Sequence, residues 1–219
     1  MNRIDPDGRE IWIYYNDENG EQQSFQYSVD MECPVNNASA EAFVNNLNTM
    51  HKNDSGATVI DAIVGSPTKY GYEQIDMEDT NINGYFDPSN NYKTSVKDAN
   101  NTIDFAEETF HMYQHVNNQW GTTAVCEVEA KLFSVKMNYE IPGWNMEDCF
   151  DLLLGNCDSP YSGCMRDLLF TGYDKDNYNG AVKSFFSGYI HGNLYQGVSG
   201  YVDGEISSEP LIKRFLPIQ

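Results

Sequence analysis

The densest set of chemically useful side chains in this chain is the run Phe105-Ala106-Glu107-Glu108-Thr109-Phe110-His111-Met112-Tyr113-Gln114-His115. On a helix, residues four apart share a face, so Glu107, His111 and His115 align and Glu108 sits one position aside. Imidazole and carboxylate groups are zinc ligands, and a glutamate beside such an ion can take a proton from an attacking water. In the helical pattern His-Glu-x-x-His, both histidines bind zinc and the glutamate is the base. Glu108 and His111 stand at the base and second-ligand positions, but Glu107 stands where the first histidine belongs. Two donor sets are therefore open. In one, Glu107 and His111 bind while Glu108 remains the base; the more anionic shell neutralises the ion further and acidifies a bound water less, so activity falls. In the other, His111 and His115 form an imidazole pair completed by Glu108 or Glu127, which removes a base from the site and makes proteolysis less favoured. Against both stands the plain reading of a Glu-Glu pair as a solvated helix face.

Such a helix needs a cap, a partner and a sheet to rest on. Asn101 or Thr102 can cap it, and Phe105, Ala106, Thr109, Phe110, Met112 and Tyr113 recur at helical spacing. A following helix is expected over Thr123 to Asn138, with Val125, Val128, Leu132 and Val135 on one stripe. Upstream, the runs from Glu10 to Tyr15 and from Gln23 to Ser28 flank Asn19-Gly20, a step that supplies the positive φ of a hairpin turn. An amphipathic helix through Phe43, Val44, Leu47 and Met50 follows, with Ser39 as its expected N-cap. Thr58 to Val64 reads as a short helix or buried strand stopped by Gly65 and Pro67. Asp87-Pro88-Ser89-Asn90-Asn91, between two β-prone runs, reads as a second hairpin. Helices are expected at Met146 to Leu154, Met165 to Phe170 and Gly180 to Tyr189, the last ended by Gly192, Gly197 and Gly200. The fold class expected is α+β.

The run from Glu107 to Gln114, followed by Glu127-Val128-Glu129-Ala130-Lys131-Leu132-Phe133, resembles zincin-type metallopeptidase domains found at the C-termini of bacterial polymorphic toxins and RHS-like proteins. Those carry His-Glu-x-x-His-x-x-Gln and then a Glu-x-Glu-Ala segment. The opening from Asn2 to Glu10 resembles the Asp-Pro-x-Gly end of an RHS repeat-associated core. Together the resemblances cover the start and roughly residues 80 to 135, and residues 140 to 219 add nothing to them. They imply a zincin-like α+β fold in which an N-terminal hairpin segment, 1–30, precedes a domain over 31–219 whose small sheet packs on an active-site helix and a following helix. They also imply Glu108 as catalytic base, His111 and Glu127 as metal ligands and Zn2+ as cofactor; Glu107 stands at the first-ligand position, and His115 and Glu129 are the alternative ligands. The activity implied is weak or absent peptide-bond hydrolysis by a secreted or delivered effector. Its partner would be a protein or peptide substrate, or a cognate immunity protein. Two departures count against an intact site: Glu107 itself, and Lys131, which stands where many zincins have an aspartate that orients a ligand. A scaffold that has lost its metal would be a protein-binding module.

The remaining composition bounds the function. At 219 residues the chain is long enough for one large domain. Its net charge of −20, from 33 acidic and 13 basic residues, repels phosphate backbones and disfavours nucleic acid; a basic protein is the better partner. No stretch approaches the roughly 18 apolar residues of a spanning helix. The five cysteines contain no Cys-x-x-Cys pair, so buried thiols are expected, with a Cys157–Cys164 bridge as the alternative in an oxidising compartment. His51 and His191 carry no assigned role, and Tyr189, Tyr195 and Tyr201 read as core or interface aromatics.

Overall fold

The computed structural model describes residues 10–77, 83–121, 123–144, 160–186 and 210–217. Among these residues it is an α+β structure with one mixed five-stranded sheet, six α-helices and a 3-10 turn. It divides into two compact units, residues 1–118 and 119–219.

The first unit begins with β1 (Ile11–Asn16) and β2 (Gln22–Tyr27), an antiparallel pair whose turn is made by Gly20 at φ 80°. That left-handed conformation is open to glycine because it has no Cβ to clash. Helices α1 (Ala38–His51) and α2 (Asp54–Val64) follow, then β3 (Tyr70–Gln74), β4 (Gly84–Asp87), β5 (Lys93–Val96) and α3 (Thr102–Val116). The sheet order is β2-β1-β3-β5-β4; β1, β3 and β5 run parallel, and the two outer strands are antiparallel to their neighbours. Parallel strands need a long crossover, and α1 with α2 supply the one from β1 to β3. The α1 cap is Asn37, which accepts from Ala40 N, and not Ser39, whose hydroxyl instead donates to Gln74 Oε1 at 2.8 Å. The segment left open between helix and strand at Thr58 to Val64 is helix, started four residues earlier by the Asn53 cap.

The two sheet faces have different chemistry. On the helix side, Ile11, Ile13, Tyr70, Tyr72 and Val96 are buried. The Tyr72 ring stacks on Phe105 of α3 (centroids 5.3 Å) and meets Phe43 of α1 at 5.5 Å, while its hydroxyl shares a 2.7 Å hydrogen bond with Thr109 Oγ1. This packing seats α3 against the sheet. On the other face Lys93 Nζ donates to Glu73 Oε2 at 2.8 Å, Ser95 Oγ donates to Glu73 Oε1 at 2.9 Å, and Lys93 lies 4.2 Å from the Tyr14 ring centroid. Tyr14 lies so close over Gly71 that a Cβ there would come within 2.5 Å of Tyr14 Cε2. The α3 helix starts at the Asn101 cap, whose Oδ1 accepts from Ile103 N and Asp104 N at 3.0 and 3.2 Å. Asn101→Ala is expected to lower the unfolding free energy by about 1 kcal/mol, measured by urea denaturation at constant m-value.

The second unit holds α4 (Ala124–Glu140), α5 (Pro160–Thr171), α6 (Lys175–Phe186) and a 3-10 turn (Leu211–Phe215). Thr123 Oγ1 caps α4 by accepting from Cys126 N at 3.2 Å. Helix α4 packs against α6 and the 3-10 turn, with Phe133 and Phe215 rings 5.5 Å apart. Gly180 lets α5 and α6 approach closely, since a Cβ there would lie 2.8 Å from Cys164 Sγ. Among the described residues, Cys33, Cys126 and Cys164 form no disulfide. Cys157, the other end of the bridge weighed above, lies outside the described residues, as do Met146 to Leu154, Tyr189, His191, Tyr195, Tyr201, the glycine tract and the stretch from Asn2 to Arg9. Among the described residues, no helix is long and apolar enough to cross a membrane.

Candidate metal centre

Helix α3 is buried along most of its length, and its charged residues are buried with it. Glu107, Glu108 and His111 are only 7, 6 and 6% exposed, which removes the solvated-face reading of the Glu-Glu pair. Burying a carboxylate costs several kcal/mol unless charge or hydrogen bonds compensate it, so side chains kept there call for a partner.

Glu107 and His111 each offer one ligand atom, and those two atoms lie within 4.8 Å of one another on α3. Glu107 and His111 are brought together by their four-residue spacing on α3, and Glu127 lies half-buried in the first turn of α4. A carboxylate and an imidazole one helical turn apart are donors suited to a divalent cation. The His111 ring is oriented by its neighbour: Gln114 Oε1, fully buried, lies 2.8 Å from His111 Nδ1. An amide oxygen only accepts, so Nδ1 carries the hydrogen and the ring's donor atom toward a cation is Nε2. Glu108 lies against the sheet; a Cβ on Gly84 would sit 3.1 Å from Glu108 Cγ and 3.3 Å from its Oε1. Glycine at that place in β4 leaves room for the carboxylate.

The two alternative ligands are engaged elsewhere. His115 Nδ1 is 2.8 Å from Tyr70 Oη, and its ring is surrounded by Tyr70, Phe86 and Tyr92 at 5.9, 5.7 and 5.3 Å. Burial lowers the His115 pKa, favouring the neutral ring. Glu129, two residues from Glu127 and so on another side of α4, accepts from Tyr178 Oη at 2.8 Å. Burial and that carboxylate hold the Tyr178 phenol well above its usual pKa. Lys131 is buried on α4. Sequence reading missed Tyr178 as the partner of Glu129, because nothing in its local surroundings marks it. The glutamine three residues after His111 was visible, but not that it orients the ring.

No family model, curated protein or solved structure matches this chain.

Proposed function

We propose that Glu107, His111 and Glu127 bind a divalent cation, zinc by preference, and that Glu108 is the general base of a weak peptide-bond hydrolysis. On this reading the chain is a zincin-like effector domain of the polymorphic-toxin kind, delivered from an RHS-type protein. The observation that supports it is the burial of Glu107, Glu108 and His111 on one helix, with the Glu107 and His111 ligand atoms within 4.8 Å of one another and the His111 ring held by Gln114. A cation there would supply Lewis-acid polarisation of a carbonyl and a more acidic water. The chain's own residues do the rest: Gln114 fixes the His111 tautomer, and Glu108 accepts a proton from the attacking water and returns it to the leaving amine. Glu107 in place of an imidazole makes the shell more anionic, which is why the activity is weak.

Zinc content of the purified protein and cleavage of a casein substrate test the reading together. The expected result is bound zinc removable by chelator, with slow cleavage that Glu108→Gln abolishes while the metal stays. Absence of both metal and Glu108-dependent cleavage would overturn it. Gln114→Leu is expected to weaken zinc binding by roughly 10–100-fold, the usual effect of removing a group that orients a histidine ligand, as read by competition with a chromogenic chelator.

The net charge of −20 favours a second reading, in which the same scaffold binds a basic protein, such as a cognate immunity protein, without catalysis. Capture of a partner at low salt that is lost at high salt would support it; no capture at low salt counts against it.

A further inference from the structure

Because β1, β3 and β5 run parallel, their carboxyl ends reach the same edge of the sheet. A pocket of about 370 Å³ opens there, lined by Tyr15 and Asn16 from the end of β1, Gln74 and Asp76 from the end of β3, and Lys97 just after β5. Crevices outside the carboxyl ends of parallel strands are where open α/β sheets take small ligands, and the volume suits one.

Several of the pocket's polar groups are already committed. The Asn37 side chain caps α1 through its oxygen and donates to Asn16 O through its amide, and Ser39 donates to Gln74 Oε1, which also accepts from Ala99 N. These bonds shape the wall. Asp76 and Lys97 are different: both line the pocket, yet among the described residues neither side chain forms an ion pair or hydrogen bond, with the other or with anything else. Asp76 is exposed and Lys97 half-buried, and opposite charges that line one pocket without pairing match a ligand that carries both. A simple anion would leave Asp76 repelling it, and a neutral sugar would use neither charge.

We propose that this pocket binds a small zwitterion of the α-amino-acid type. Lys97 takes the carboxylate, Asp76 takes the ammonium, and the Gln74 and Asn16 amides add hydrogen bonds. The inference stands apart from the metal reading and does not depend on it.

Calorimetric titration of the whole chain with each standard L-amino acid tests it. At least one is expected to bind. Its N-acetyl and C-terminal amide derivatives should bind about tenfold or more weakly, as should the parent amino acid to Lys97→Gln and Asp76→Asn, because each change removes one charge-assisted contact. Circular dichroism establishes that both variants are folded, and the derivative series on the unaltered protein keeps the test valid if either is not. No binding by any amino acid overturns the proposal. So does acetate binding as tightly as the amino acid, which would mark a plain anion site, or affinity indifferent to both variants and both derivatives.

Discussion

His111→Ala is expected to reduce zinc affinity by more than about 100-fold, since losing a group that only orients a ligand already costs roughly 10–100-fold. In the proposed ligand set His111 is the one imidazole, and without it the carboxylates of Glu107 and Glu127 remain. Harder, oxygen-only sites of that kind suit magnesium or calcium better than zinc. The complementary change is Glu107→His. It replaces a carboxylate by an imidazole at the position where the His-Glu-x-x-His pattern has one, and it should raise zinc affinity at least about tenfold and speed Glu108-dependent cleavage. Chelator competition reads the first effect and casein cleavage the second. Zinc affinity unchanged in both variants would sink the metal centre, whatever the fate of the peptidase reading.

The second large effect lies in the sheet. Lys93→Ala leaves the Glu73 carboxylate, which is buried and bonded to Lys93 at 2.8 Å, without its cation. Loss of one member of a buried pair typically costs about 3–5 kcal/mol, and a loss of that size is expected in urea denaturation. Replacing both partners together, Glu73→Leu with Lys93→Met, should recover most of the loss, because the uncompensated charge disappears. A single-variant loss under about 1 kcal/mol would mean that Ser95 and Gln22 suffice to hold the carboxylate, since each is itself within hydrogen-bond reach of Glu73.

These two regions differ in how far they could be read from the residues alone. The hairpin at Gly20 and helices α1, α3 and α4 are local structures, set by a glycine, by Asn and Thr caps and by apolar residues at helical spacing, and they lie close to where that spacing puts them. The second hairpin, β4 with β5, follows from its turn cluster. Strand β3 carries no such mark. Tyr70-Gly71-Tyr72-Glu73-Gln74 mixes rings, a glycine and a carboxylate, and its pairing with β1 joins residues about sixty positions apart. The α-helical spacing aligned Glu107 with His111 but could not reveal that the acidic pair is buried, since burial depends on segments distant in sequence. His115 shares that face, yet Tyr70, Phe86 and Tyr92 enclose it, and no spacing rule within α3 anticipates rings arriving from β3, β4 and the turn before β5.

The arrangement over Gly71 has an evolutionary corollary. Tyr14 rests on a backbone that has no side chain beneath it and faces the lysine that neutralises Glu73. Any descendant that gains a methyl group at 71 must shrink or swing the ring at 14, and one that loses the cation at 93 must also discard the acid at 73. Divergent copies of this chain should therefore alter positions 14, 71, 73 and 93 as a linked set, with this quartet fixed or replaced together.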